Sequence, residues 1–315
     1  MNSTGGPSAR NPLTGIALKV VSVAVFVGMS SFIKASGQVS AGQIVFFRSF
    51  FAMIPILAFL SYQRELRSAF ATKRPLNHVA RGVVGVTSMG LGFFALTRLP
   101  LPEAITLNYA QPLLVVVFSA LFLGETVRAY RWTAVGVGLV GVLIVSWPKL
   151  SLFGAASGMG SEELAGVMAA LGAAAVSAVA VLLVRNLVHT ERTPTIVLWF
   201  SLTASTLALL SIPFGWERIS WAQAALLIGA GFCGGIGQIL MTEAYRYAEA
   251  STVAPFEYTS LILGLIVGYL VFGEAPTLHM LVGGAIVIGS GIFIIWRERQ
   301  LGLQRAAARK VTPPQ

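Results

Sequence analysis

Long apolar runs dominate the chain and alternate with short polar segments. Each run approaches the roughly 20 residues that an α-helix needs to cross a bilayer core, and none shows the residue-by-residue alternation of a membrane β-barrel strand. The pattern predicts an all-α integral membrane protein with ten transmembrane helices, which we place at residues 13–34, 41–62, 79–97, 103–123, 131–147, 164–185, 194–213, 222–243, 252–272 and 278–296.

Charge is scarce and lies between the apolar runs. The 315 residues are 56% hydrophobic and only 11% charged, whereas soluble domains carry about 25% charged residues. The net charge of +10 does not indicate nucleic acid as a partner, because lysine and arginine form short clusters, as topology signals do. Most of the 22 Lys and Arg residues, Lys19 and Arg81 among them, share one side if the N-terminus is cytoplasmic. We therefore predict a multi-pass protein of the bacterial inner (plasma) membrane with both termini in the cytoplasm.

The second half of the chain repeats the first. Predicted helices 3–5 align with helices 8–10 at a constant offset of 149 residues, which places Tyr109 on Tyr258, Gly124-Glu125 on Gly273-Glu274, Gly85 on Gly234 and Trp147 on Trp296. Because each half holds an odd number of helices, the second half enters the membrane upside down. We divide the chain into a first repeat (13–147), a Gly/Ser-rich linker (148–163), a second repeat (164–296) and a basic cytoplasmic tail (297–315) that can contact membrane lipid.

Helix ends and bends carry their own signals. The glycine of each Gly-Glu pair is expected to end a helix in the left-handed conformation, and the glutamate to stabilise the N-terminus of the helix that follows. Pro102, Pro112 and Pro255 lie in or beside helices 4 and 9 and can bend them, although proline is also commoner in membrane helices in general.

These features together resemble the drug/metabolite transporter superfamily, and within it the ten-helix members with two EamA domains. The likeness rests on the two Gly-Glu pairs and on the segment Phe46-Phe47-Arg48-Ser49-Phe50 of helix 2. The resemblance implies transport of small organic solutes without ATP. The segment Asn108-Tyr109-Ala110-Gln111-Pro112 is most similar to the bacterial riboflavin importers of the family, although its S-adenosylmethionine importers and amino-acid exporters share much of the same pattern.

Polar and aromatic residues inside the predicted helices are the candidates for substrate binding, because such groups in a membrane usually face a cavity or a partner. Arg48 can bind an anion or a carbonyl group, or else snorkel to the interface. Glu257 and its repeat mate Asn108 are expected to flank a common central cavity, where Glu257 can also couple transport to protons. The alternative for both is hydrogen bonding between helices. The remaining candidates are Tyr109, Gln111, Gln238 and Tyr258.

Other functional classes lack their signatures in this sequence. The absence of aspartate and of a His-Glu-x-x-His motif argues against an intramembrane enzyme, and no P-loop indicates an ATP-driven pump. A channel is the weaker alternative, because no ring of charge or filter loop is evident. We predict a secondary transporter that moves a small-molecule substrate by alternating access, with riboflavin uptake as the first candidate. We expect no catalytic residues, no cofactor and no metal, and a homodimer stays open.

Overall fold

The computed structural model describes residues 12–72, 74–124, 127–150, 160–187, 190–191, 193–248 and 250–311. Within these residues the secondary structure is helical. The elements are α1 (Pro12–Ala35), α2 (Ala41–Tyr62), α3 (Pro75–Leu96), α4a (Leu101–Asn108), α4b (Ala110–Leu123), α5 (Ala129–Leu150), α6 (Gly160–Leu187), α7 (Thr193–Leu209), α8 (Trp221–Tyr247), α9a (Ala250–Val253, followed by the 3-10 segment Ala254–Tyr258), α9b (Thr259–Phe272) and α10 (Leu278–Val311). A short helical turn, Leu66–Ala69, joins α2 to α3.

The membrane architecture is confirmed. Taking α4 and α9 as one crossing each, nine of the described helices are long and apolar enough to span a bilayer, and the apolar stretch of α7, Pro194–Leu209, is shorter. Large apolar side chains such as Leu121, Phe122 and Leu270 are at least two-thirds exposed on the outside of the bundle, where lipid tails replace water. The protein is therefore an all-α membrane protein with ten membrane-crossing elements.

The two halves form inverted repeats. We call the side at which α1 starts the terminal end, and the side at which α5 stops and α6 starts the linker end. Helix α1 packs on α8, and the equivalent helix α6 packs on α3. Helices α5 and α10 meet so closely that a Cβ atom added to Gly283 would lie 2.5 Å from the carbonyl oxygen of Gly141. Glycine at this crossing lets the two backbones approach one another, as in other membrane helix pairs.

The breaks in α4 and α9 fall at equivalent positions. Helix α4 breaks at Tyr109, because Pro112 has no N–H to donate to the carbonyl of Asn108. In helix α9 the 3-10 segment around Pro255 separates α9a from α9b, and α9b starts directly after Tyr258, the repeat mate of Tyr109. The predicted bends are therefore sharper than expected and become interruptions of both helices.

Five helix boundaries differ by four residues or more from the sequence-based placement. Helix α6 starts at Gly160 instead of 164, and helix α8 ends at Tyr247 instead of 243. Helix α3 starts at Pro75 instead of 79, because proline is favoured in the first helical turn. Helix α7 stops at Leu209 and is followed by a 3-10 turn that contains Pro213, four residues short of the predicted end. Helix α10 continues to Val311, so part of the segment that we assigned to the tail is helical.

For the Gly-Glu pairs, the expectation for the glycines is confirmed and the expectation for Glu274 is not. Gly124 and Gly273 end α4b and α9b with φ of +62° and +66°, which confirms the left-handed caps. Glu274, however, does not bind the N-terminus of α10, where the hydroxyl of Thr277 accepts from the N–H of Met280. Its carboxylate accepts instead from the N–H of Leu101 at 2.8 Å, because the start of α4a lies beside it at the linker end. Glu125 lies outside the described residues.

Candidate functional site

A cavity of about 730 Å³ lies between the two repeats. Helices α2, α3, α6, α7 and α8 form its walls, and it reaches from the level of Arg48 to Arg246 in the last turn of α8. Because Arg246 and Tyr245 are exposed, the cavity meets the surface at the terminal end. Its volume lies within the range of about 300–1,000 Å³ that is common for sites binding small molecules.

Arg48 lies on the wall of this cavity. Its guanidinium Nε atom is buried and has no hydrogen-bond partner in the described part of the chain. Room for the group comes from Gly234 on α8, because a Cβ atom at that position would lie 3.2 Å from Arg48 Nε. Arg48 therefore does not snorkel to the interface, since it extends along α8 into the space between the repeats.

A second arginine, Arg81, lines the same cavity from α3. Its Nε and Nη1 atoms are buried without a hydrogen-bond partner among the described residues, and its guanidinium carbon lies 4.0 Å from the ring centroid of Phe200. A Cβ atom at Gly85 would lie 2.3 Å from Arg81 Nη1. Gly85 is the repeat mate of Gly234, so the two guanidinium groups use equivalent gaps in α3 and α8.

Sequence reasoning missed Arg81 as a cavity residue. The sequence pattern places Arg81 among the positive residues that mark the cytoplasmic side, because the predicted helix 3 begins only two residues before it. The signal that could have placed it was Pro75, which favours an earlier helix start and moves Arg81 about 9 Å into the helix at 1.5 Å per residue.

Two amide side chains complete the polar lining. Gln111 of α4b and Gln238 of α8 both face the cavity. Asn108 lines a smaller adjoining cavity of about 240 Å³, and Ser88 and Met89 line both cavities. The structure thus brings Arg48, Gln111 and Gln238 together and puts Asn108 next to them.

Tyr109 and Tyr258 lie elsewhere, against one another. Their ring centroids are 4.9 Å apart, and the Tyr109 hydroxyl donates to the backbone carbonyl of Glu257 at 3.1 Å. Neither tyrosine lines the main cavity or the smaller one beside it, and neither does Glu257. In this conformation the three residues join the broken helices α4 and α9, so a direct role in binding stays a prediction.

Glu257 forms an ion pair with Lys19 of α1. The Lys19 side chain is 1% exposed, whereas that of Glu257 is 47% exposed. We had also counted Lys19 among the topology charges. Apolar residues flank it on both sides within helix 1, which is the pattern of an intramembrane charge that needs a partner, and this signal could have indicated the pair.

The linker end is held by polar contacts between the repeats. Lys34 at the end of α1 pairs with Glu274 at 2.7 Å and donates to the carbonyl of Leu99 at 2.6 Å. Gln43 donates to the carbonyl of Glu217 at 2.7 Å across the same end. The cavity therefore reaches the terminal end while these contacts tie the linker end.

Comparison with known proteins fits this geometry. The model of the EamA-like transporter family matches residues 13–147 and 164–297, which is most of the chain and one match in each repeat. The chain belongs to this family. Members of the family are transporters, and this chain is therefore a transporter of a small-molecule substrate.

Three curated relatives are named for the transport of three different compounds. The S-adenosylmethionine uptake transporter of Rickettsia felis is 26% identical, over 91% of this chain and 94% of its own. The riboflavin transporter of Rhizobium johnstonii is 28% identical, over 91% and 89%. The pseudopaline exporter of Pseudomonas aeruginosa is 29% identical, over 87% and 93%. A solved crystal structure shares the fold, with a TM-score of 0.62 at 18% identity over 92% of this chain and 99% of that chain.

Proposed function

We propose that this EamA-like transporter takes up a planar, polar organic metabolite across the bacterial inner membrane, and that riboflavin is the first cargo to test. The observation that carries the proposal is the 730 Å³ cavity, which combines hydrogen-bonding groups with aromatic surface. Gln111 and Gln238 offer amide donors and acceptors, and Phe200 and Tyr245 offer ring surface. A heteroaromatic ring with carbonyl groups at its edge suits such a lining.

Alternating access is the mechanism that the inverted repeats support. Discontinuous helices next to a substrate site are common in transporters of this architecture, and α4 and α9 are interrupted at equivalent residues. The described conformation is open at the terminal end and tied at the linker end. If the termini are cytoplasmic, this is the inward-facing state, and release of the Lys34–Glu274 contact belongs to the opposite state.

The names of the relatives differ in the compound transported and in the direction of transport. An experiment therefore has to decide both for this chain. A riboflavin transporter, an S-adenosylmethionine uptake transporter and a pseudopaline exporter lie at similar identity to this chain. Riboflavin comes first because the riboflavin importers also share the Asn108–Pro112 segment by resemblance, and because the two cavities contain three amide side chains. S-adenosylmethionine is the second candidate.

The decisive experiment is growth and uptake in a riboflavin auxotroph. The chain should rescue growth at low external riboflavin and should accumulate labelled riboflavin in membrane vesicles, measured with and without a proton gradient. The Gln111→Ala variant, at matched abundance on a membrane blot, should raise the apparent KM. Absence of rescue at good abundance, together with uptake of S-adenosylmethionine by the same vesicles, would replace riboflavin as the cargo.

A further inference from the structure

The charges that line the main cavity are all positive. Arg48, Arg81 and Arg246 are its charged residues, and no glutamate is among the described residues of its wall. Arg246 at the mouth is paired with Glu243 at 2.8 Å. Arg48 and Arg81 have no carboxylate partner among the described residues, and the Arg48 charge acts unfavourably on Arg81.

Two partly buried guanidinium groups that repel each other, and whose buried Nε atoms have no hydrogen-bond partner among the described residues, are a costly arrangement. A charge inside a membrane protein normally pairs with an opposite charge or with backbone carbonyls, and an unpaired buried charge destabilises the fold. Two other lysines of the described residues, Lys19 and Lys34, have little exposed side chain and are both paired with a glutamate. Arg48 and Arg81 differ from these lysines, because neither has a carboxylate partner among the described residues. A negatively charged group from outside the chain would supply one.

We propose that Arg48 and Arg81 together form a subsite for a carboxylate or phosphate group of the cargo. The planar fork of a guanidinium matches the oxygens of both groups and binds them in a bidentate manner. Gly85 and Gly234 leave room beside Arg81 Nη1 and Arg48 Nε, and both arginines line the cavity. This deepens the function proposed above and rests on it only for the identity of the rest of the cargo.

The subsite can be tested without knowing the cargo. The probes are inorganic phosphate and citrate, titrated into the purified protein in detergent at an ionic strength held constant with chloride, while thermal unfolding is followed. The wild type should show a saturable rise in Tm. Arg48→Gln and Arg81→Gln should need at least about tenfold more anion for the same rise, because each removes one charge-assisted contact. The matched control is Arg218→Gln, which removes the same charge from an exposed position outside the cavities and should respond like the wild type.

A second arm uses riboflavin and riboflavin 5′-phosphate, which differ only by the phosphate group. The phosphate ester should bind the wild type at least about tenfold more tightly than riboflavin, and this ratio should collapse in both Gln variants. If a Gln variant fails to fold, the corresponding Lys variant takes its place, because lysine keeps the positive charge but lacks the planar guanidinium. The Lys variant should bind citrate several-fold more weakly than the wild type.

The outcomes separate the two proposals. An anion response that depends on both arginines, without any flavin response, supports the subsite and removes flavins as cargo. Riboflavin uptake together with equal anion responses in the wild type and both Gln variants overturns the subsite and leaves the proposed function intact. Binding of neutral riboflavin as tightly as its phosphate would also overturn the subsite.

Discussion

Replacing Glu257 by glutamine should destabilise the protein far more than replacing its partner Lys19 by methionine. The asymmetry follows from exposure, because the Lys19 side chain is 1% exposed and that of Glu257 is 47% exposed. Glu257→Gln leaves a buried ammonium group without its counter-charge. Lys19→Met fills the same space with an apolar chain and leaves a carboxylate that solvent reaches.

The magnitude can be estimated from the cost of breaking buried pairs. Removing one partner of a buried pair typically costs 3–5 kcal/mol, and the half-exposed carboxylate reduces this to about 2–4 kcal/mol for Glu257→Gln. For Lys19→Met we expect about 0–1 kcal/mol, the range of exposed ion pairs. The double variant should resemble Lys19→Met, because the ammonium that needs a partner is gone.

The assay is thermal unfolding of the four proteins in one detergent at one scan rate. At roughly 2–4 °C per kcal/mol for larger domains, Glu257→Gln should lower Tm by about 4 °C or more, and the double variant should recover most of that loss. The control pair is Glu243 and Arg246, where Arg246 is 62% exposed and single substitutions should cost at most about 1 kcal/mol. Equal losses for Glu257→Gln and Lys19→Met, or a double variant that loses the sum of both, would refute the reasoning.

The same variants address proton coupling. If Glu257 carries the coupled proton, Glu257→Gln should change the pH dependence of initial uptake rate, whereas Lys19→Met keeps the carboxylate and should keep a pH-dependent rate. Wild-type rates at every pH in Glu257→Gln, at matched membrane abundance, would limit Glu257 to a structural role.

Three further predictions concern the scaffold. Glu274→Gln should destabilise the state closed at the linker end, seen as faster labelling of a cysteine introduced at that end; unchanged labelling would refute this. Gly283→Ala should cost about 1–3 kcal/mol, because its Cβ meets a backbone oxygen, whereas Gly289→Ala, which has open space, should be neutral in the same unfolding assay. Reporter fusions after Leu150 should be periplasmic and fusions after Arg192 cytoplasmic; the reverse at either site would contradict the predicted topology.

The sequence was sufficient for the membrane architecture because it rests on length and repetition. An apolar run of about 20 residues can satisfy its backbone in lipid only as a helix, and the offset of 149 residues relates the two halves without any structure. The interruptions of α4 and α9 could also be predicted from the sequence, because Pro112 and Pro255 act locally on their own helices.

The candidate site was only partly accessible, because facing directions depend on packing. Arg48, Gln111 and Gln238 reach one cavity, while Tyr109 and Tyr258 contact each other. Lys19 and Arg81 looked like topology charges near helix starts. Their partners come from distant parts of the chain, because α9 lies beside Lys19 and α6 and α7 pack on the helix that carries Arg81.

Gly85 and Gly234 are each linked to a neighbouring arginine, Arg81 and Arg48. A methyl group at Gly85 would meet Arg81 Nη1 and the Phe200 ring, and one at Gly234 would lie 3.2 Å from Arg48 Nε. Each glycine contributes no functional group but leaves room for an arginine in its described position. Among related chains, loss of the glycine should therefore accompany loss of the arginine, and lineages that exchanged both should have changed the charge of what they carry.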